Sequence, residues 1–311
     1  MSIDRFPRIP PSRRGYISLL EHAHVHVADG AVVIQKDEGG MFKEYNIPYV
    51  NTSLVLLGEG TSLTRDAARL LAQQGVMIAF TGGGGTPFSC AQTPEFMPLE
   101  PMDEYRPTAY MQRLAQIFFD DKRRLGAAKW LLRERLRFTD TAWNALPEAT
   151  NYGLSGDALT QERGRFRARI ESSSTTQELL LAEAEHARSV FGLVARAHGI
   201  PFTRQPQSGE DRPNQFLDHA NYMAYGLASV ALHGLGLSFA FAMLHGKTRR
   251  GGLVFDIADL IKDGVTVPLA FACAQEGKTA GEARTETLRA FEQVGALPYL
   301  FDALKRLLDE C

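Results

Sequence analysis

Near residue 106 the spacing of apolar residues changes from every second position to about every 3.6 positions, and this limits the fold more than any other feature. Before the change, His24-Val-His26-Val-Ala-Asp29-Gly30 alternates into an Asp-Gly turn and continues through Ala31 to Gln35, the pattern of a β-hairpin. Phe42 to Val50 adds a strand that Pro48 places near an edge, and Val55 to Leu57 is a short apolar strand. Thr64 to Gly75 opens on a capping residue and closes on glycine, as a helix does, and Val76 to Phe80 reads as a buried strand. Pro94, Pro98 and Pro101 mark a linker over 93–106. Beyond Pro107 the apolar face of Met111, Leu114, Ala115 and Phe118 begins a helical region. Further helices are expected over Asp121 to Phe138, Thr176 to His198, Val265 to Cys273 and Glu282 to Leu308. The stretch 151–174, where Arg163, Arg165, Arg167 and Arg169 alternate, reads as a basic loop or helix edge. The expected fold is α+β. A β-rich unit over 1–100 is followed by a larger all-α unit over 101–311 that carries the candidate chemistry.

Several function classes are excluded by simple counts. Cys90, Cys273 and Cys311 are odd in number and scattered, which argues against a disulfide framework and a cysteine zinc site and for a reducing cytoplasm. A formal net charge of −2 is no global nucleic-acid signal, so any basic footprint is local. One candidate lies between Pro107 and Arg137, where eight Lys/Arg face three Asp/Glu. Its rival reading is a solvated helix face. Ala220 to Leu244 holds no Asp, Glu, Lys or Arg, but Gly226, His233, Gly234 and Gly236 dilute it. It is expected to form two buried helices joined near His233 to Gly236, with no membrane span. Met1 to Arg14 has no apolar core and is not a signal peptide. Thr81 to Pro87 is glycine-rich, but no Gly-Lys-Ser/Thr follows, so it reads as a tight turn and not as a nucleotide loop. Arg204 to Pro213 is a polar loop.

The candidate chemistry concentrates in His245-Gly-Lys-Thr-Arg-Arg-Gly-Gly-Leu-Val-Phe-Asp256-Ile-Ala-Asp259-Leu-Ile-Lys262. Asp256 and Asp259 stand at i and i+3, on one face of a helix. Two adjacent carboxylates repel unless a positive group lies between them, and a divalent cation is the simplest occupant. His245 offers a nitrogen ligand, and Lys247, Arg249 and Arg250 offer phosphate-binding charge. The combination points to metal-assisted phosphodiester chemistry. Each residue also has a plainer reading: a satisfied histidine, and acids that complement a helix dipole.

Taken together, the motifs resemble the family of CRISPR-associated protein one, the integrase of CRISPR adaptation, and most closely its subtype I-F branch. The matching residues are Asn46-Ile-Pro48, Leu56-Leu-Gly-Glu-Gly60-Thr-Ser, Gly82-Gly-Gly-Gly-Thr-Pro87, Glu104-Tyr-Arg-Pro107, Phe216-Leu-Asp-His-Ala-Asn-Tyr-Met-Ala-Tyr-Gly226 and the whole block from His245 to Lys262. The resemblance implies a β-rich N-terminal domain, an all-helical catalytic domain and a metal site of one glutamate, one histidine and one aspartate. Histidine and aspartate carry over to His245 and Asp259, with Asp256 as an auxiliary carboxylate. The glutamate is assigned to Glu183, because Phe191 follows it by eight residues and Val194 and Ala195 continue the helix.

The implied reaction is transesterification: a 3′-hydroxyl of incoming DNA attacks a phosphodiester at the array repeat, with DNA cleavage as a related activity. The implied cofactor is Mg²⁺ or Mn²⁺. Lys247, Arg249 and Arg250 would hold flanking phosphates. The implied partners are double-stranded and branched DNA, a second copy of the chain joined through the β-rich domains, and CRISPR-associated protein two, commonly fused to the protein-three helicase–nuclease. Two other functions compete: a general metal-dependent nuclease on branched DNA, and a non-catalytic DNA-binding scaffold. The histidines at 22, 24, 26, 186, 198, 219 and 233 lack a motif context and receive no role.

Overall fold

Asp29 and Gly30 both adopt positive φ, 49° and 77°, which is what a two-residue turn between twisted antiparallel strands requires. They join β2 (Ala23–Ala28) to β3 (Ala31–Asp37) in the expected hairpin, with Ala28 opposite Ala31. A computed structural model of the chain describes residues 14–37, 39–80, 108–147, 149, 156–206, 211–246 and 251–311. The chain divides into two compact units, Met1–Tyr105 and Arg106–Cys311. The proline-rich linker, the glycine-rich loop at 81–87 and part of the 204–213 loop lie outside the described residues.

In the first unit, β4 (Phe42–Asn46) and β6 (Ser62–Leu63) complete a four-stranded sheet in the order β4-β3-β2-β6. A second, parallel sheet has the order β1-β5-β7, built from β1 (Tyr16–Leu20), β5 (Thr52–Leu57) and β7 (Met77–Phe80). Every residue of β5 is buried, as expected of a central parallel strand covered on both faces. Helix α1 (Arg65–Gln73) is capped by the Thr64 hydroxyl, which accepts from the Ala67 amide at 3.3 Å. Val25, Val32, Ile34, Val55, Leu71 and Ile78 bring both sheets and α1 onto one core. β1 and β6 had no distinct sequence signal. β4 is the expected edge strand and is exposed along its whole length.

The second unit is helical: α2 (Thr108–Phe119), α3 (Asp121–Ala145), α4 (Asp157–Ser172), α5 (Thr176–Ala197), α6 (Arg212–Gly234) and α7 (Gly252–Ile261). A π-helical turn over Lys262–Thr266 then leads into α8 (Val267–Gln275), followed by α9 (Ala280–Gln293) and α10 (Ala296–Glu310). The α+β class is as expected from the sequence. Three local expectations need correction. The 151–174 region contains helix α4, because Leu159, Glu162, Phe166 and Ile170 form a buried stripe at helical spacing beneath the arginines. The final helix is broken into α9 and α10 at Gly295, whose φ of 62° ends the regular geometry.

The third correction concerns the apolar run from Ala220 to Leu244. Only its first part is helix; after Gly234 the chain turns at Gly236, φ 69°, and runs irregularly to Gly246. No helix of the described residues is long and apolar enough to cross a membrane. Helix α6 is largely buried, and Asp211 caps it by accepting from the Asn214 amide at 2.9 Å. Its last residue, Gly234, lies so close to α10 that a Cβ there would stand 2.8 Å from the Phe301 ring. The gain in helix propensity from Gly234→Ala, at most about 1 kcal/mol, is smaller than a core clash of about 1–3 kcal/mol. Gly234→Ala should therefore lower the denaturation midpoint, and Phe301→Leu in the same chain should restore part of it.

Candidate active site

Asp256, on the second turn of α7, makes an active-site loop out of an irregular segment. One carboxylate oxygen, Oδ2, accepts from the amides of Met243 and Leu244 at 2.6 and 3.1 Å. The other, Oδ1, accepts from the His245 amide at 3.1 Å and lies 2.6 Å from His245 Nδ1. Three amides that leave helix geometry inside a core thus find their acceptor in a single side chain. Because a carboxylate only accepts, it selects the tautomer with the proton on Nδ1 and leaves the lone pair on Nε2. Asp256→Ala should destabilise the helical unit by about 3–5 kcal/mol, since it strands these amides, and Asp256→Asn by less. Urea titration of the two variants tests the order.

His245 Nε2 faces Asp259 Oδ2 at 3.6 Å. Lys262 occupies the other oxygen of Asp259, Oδ1, at 2.6 Å. From α5, Glu183 reaches the same place through Arg135 of α3, whose Nη1 stands 2.7 Å from Glu183 Oε1 and 4.0 Å from Asp259 Oδ2. The remaining guanidinium nitrogens of Arg135 grip Asp263 in the π turn, Nε at 2.6 Å and Nη2 at 2.9 Å. Beyond Asp263 lies His186, its Nε2 at 3.8 Å, stacked on Phe166 and with Nδ1 3.2 Å from Glu162 Oε1. Leu131, Leu132, Leu244 and Leu260 line a small crevice beside Arg135, Asp256 and Asp259.

The electrostatics follow from burial and these partners. Burial alone would push the Asp259 carboxyl up, but Lys262, Arg135 and His245 outweigh it and hold the carboxyl below its ordinary range. Burial opposes the charged form of His245 too, yet the Asp256 hydrogen bond, Asp259, Asp256 and Glu183 raise its pKa above the usual value. His186 behaves oppositely: burial dominates and lowers its pKa, helped by Arg135 and opposed by Asp263 and Glu162.

Cations stand among these acids, Arg135 beside Glu183 and Asp259 and Lys262 on Asp259. Among the described residues no three His, Cys, Asp or Glu side chains stand close enough to enclose an ion as they are placed. The donor set itself fits a divalent cation. Two donors bound to one ion at about 2.1 Å stand about 3–3.5 Å apart, close to the spacing of His245 Nε2 and Asp259 Oδ2. Arg135 Nη1 bonds one Glu183 oxygen, Oε1, and stands 4.0 Å from Asp259 Oδ2.

The CRISPR associated protein Cas1 family model matches residues 17–290 of this chain. The chain belongs to the Cas1 family. The CRISPR-associated endonuclease Cas1 of Pectobacterium atrosepticum is 41% identical over 300 residues, spanning 94% of this chain and 92% of that protein. Its counterpart in Pseudomonas aeruginosa is 40% identical over 300 residues, with 94% and 93% covered. A crystal structure of a TtCas1–DNA complex shares the fold with a TM-score of 0.67 at 24% identity, over 94% of this chain and 91% of that one.

Within this Cas1 chain, Glu183, His245 and Asp259 come together from α5, the irregular segment and α7. Asp256 lies behind His245, turned toward amides and Nδ1, and not beside Asp259 at the open side. Lys247, Arg249 and Arg250 lie outside the described residues. Sequence reasoning missed Arg135, Asp263 and His186. Asp263 had a readable signal, since it continues Asp256 and Asp259 at i, i+3 and i+7. So did Arg135, a charge among Leu131, Leu132, Leu136 and Thr139 on the buried face of α3. His186 had none.

The unfolded chain binds a proton at His186 near pH 6.5, whereas the folded chain does so only at lower pH. This residue's contribution is therefore complete above pH 6.5 and declines as pH falls toward its folded pKa. The stability difference between wild type and His186→Gln should shrink over that descent and stay level above it, as urea titrations at stepped pH would show.

Proposed function

We propose that this Cas1 protein, of the subtype I-F branch, is a metal-dependent DNA integrase and endonuclease of CRISPR adaptation. The observation that carries the reading is the convergence of Glu183, His245 and Asp259 from separate elements around a place for positive charge. Its context supports it, because the chain is 41% identical to a protein named a CRISPR-associated endonuclease. Glu183, His245 and Asp259 would hold the cation. Mg²⁺ or Mn²⁺, when bound there, supplies Lewis-acid charge for the phosphate and the leaving oxygen. Asp256 fixes the imidazole so that Nε2 faces the site. Lys262 keeps one oxygen of Asp259 engaged and leaves the other toward His245 and Arg135.

In the proposed reaction a 3′-hydroxyl of incoming DNA forms a new bond to a repeat phosphorus as the existing phosphodiester bond breaks. With water as the nucleophile, the same centre cuts DNA. Double-stranded and branched DNA are the proposed substrates. A TtCas1 protein of the same fold has been crystallised with DNA. Lys247, Arg249 and Arg250, which adjoin the site in sequence, are the proposed phosphate contacts. The reading extends to a homodimer through the β-rich unit. The edge strand β4 supports this, since Phe42 and Tyr45 are exposed on it beside Met41. CRISPR-associated protein two, fused to the protein-three helicase–nuclease, is the proposed bridging partner.

Glu183→Ala, His245→Ala and Asp259→Ala should each reduce strand transfer into a repeat-containing plasmid by at least about a hundredfold, roughly 2.7 kcal/mol of barrier. Undiminished transfer by a folded triple variant would overturn the assignment. A donor blocked at its 3′ end should abolish joining but leave cleavage. Cleavage of branched DNA without any joining would favour the general nuclease instead.

A further inference from the structure

The proposed ligand with the least support of its own is Glu183. Asp259 is buried and held by Lys262, and His245 is held by Asp256. Glu183 is partly exposed, on a long flexible side chain. Among the described residues, its carboxylate makes one hydrogen bond, to Arg135 Nη1 at 2.7 Å. Arg135 is itself buried, and its Nε and Nη2 are already satisfied by Asp263 in a two-pronged pair. Asp263 is also anchored: its backbone carbonyl accepts from Trp143 Nε1 at 3.0 Å, and His186 lies beside its carboxylate. The pair with Asp263 satisfies the structural needs of Arg135 and leaves Nη1 over. That nitrogen points at Glu183 and Asp259.

We infer that Arg135, clamped by Asp263, is a positioning residue that holds Glu183 in the rotamer facing His245 and Asp259. The inference rests on the proposed Glu183–His245–Asp259 centre and adds to it a residue pair outside the ligand set. A carboxylate has lone pairs on both oxygens, so Glu183 can keep Nη1 on Oε1 and present Oε2 to an ion. The guanidinium is required because its planar fork reaches two acidic groups in different directions at once. A lysine ammonium, on a single flexible stem, keeps the charge but not this geometry. Arg135 thus does for the glutamate ligand what Asp256 does for the histidine: it fixes the donor's direction from behind.

The test separates geometry from metal binding. In crystals of metal-free Arg135→Lys, the Glu183 carboxylate should turn away from Asp259 toward solvent. Calorimetric Mn²⁺ titration of the same variant should show affinity lowered on the order of tenfold, the usual effect of losing a group that orients a ligand. Asp263→Asn should weaken Mn²⁺ binding in the same direction, and the double variant should fall short of the sum, as expected of one unit. If Arg135→Lys does not fold, Arg135→Gln with Asp263→Asn removes both buried charges together and gives the same two readouts. A Glu183 carboxylate that stays in place without Arg135 would overturn the inference. So would unchanged Mn²⁺ affinity in a variant series where Glu183→Ala abolishes it. Wild-type protein that binds no Mn²⁺, or Glu183→Ala that binds it as well as wild type, would instead overturn the metal centre itself. A displaced Glu183 would then still uphold the hold.

Discussion

A carboxylate carried into a helical core must be met at each oxygen or the core will not form around it. Asp256 is met by three backbone amides and one imidazole, and those partners are the segment that would otherwise have no structure. The link runs both ways: the loop supplies the donors that allow the charge to be buried, and the charge gives the loop its shape. His245 is one of those donors. Its direction is therefore set by the same interaction that folds the chain, and the site does not need a separate device to aim it. Gly246, φ 83°, follows directly, where the chain must leave this tight arrangement.

Around this anchor the helical unit tolerates an unusual density of buried charge. Asp259, Asp263, Arg135 and Lys262 compensate one another within a few ångströms, with Glu183 at the open side. Removing one member of such a group leaves another charge without its partner, which costs more than the pair contributes as a whole. The cations also stabilise this cluster of acids. Arg135 and Lys262 neutralise acids that would otherwise repel each other.

Much of this was legible in the sequence, and the divisions have physical causes. The β-hairpin, the capped helix α1 and the change to helical period could be read because local chemistry decides them. The 151–174 stretch reads between a loop and a helix edge because its alternating arginines, exposed at 165, 167 and 169, hide the buried stripe of Leu159, Phe166 and Ile170. The second helix expected after Gly234 failed because a distant carboxylate, 12 to 13 residues on, offers those amides a better acceptor than their own helix would. The proposed ligands on α7 and its loop lie within one continuous block. Their supports do not: Arg135 is 128 residues from Asp263 and 48 from Glu183. A charge on an apolar helix face could be noticed, but its partners depend on how α3, α5 and α7 pack, and no local pattern encodes that.

The spacing of Asp256, Asp259 and Asp263 has a consequence for how this part of the chain can vary. Each acid serves a different neighbour: the loop that holds His245, the open side of the site, and the guanidinium on α3. They do so because they recur on one helical stripe, where each added residue turns the face by about 100° and advances it about 1.5 Å. One residue gained or lost between Asp256 and Asp263 would rotate part of that stripe away and break at least one of the three relationships. This stretch can therefore diverge by replacing side chains but not by changing length.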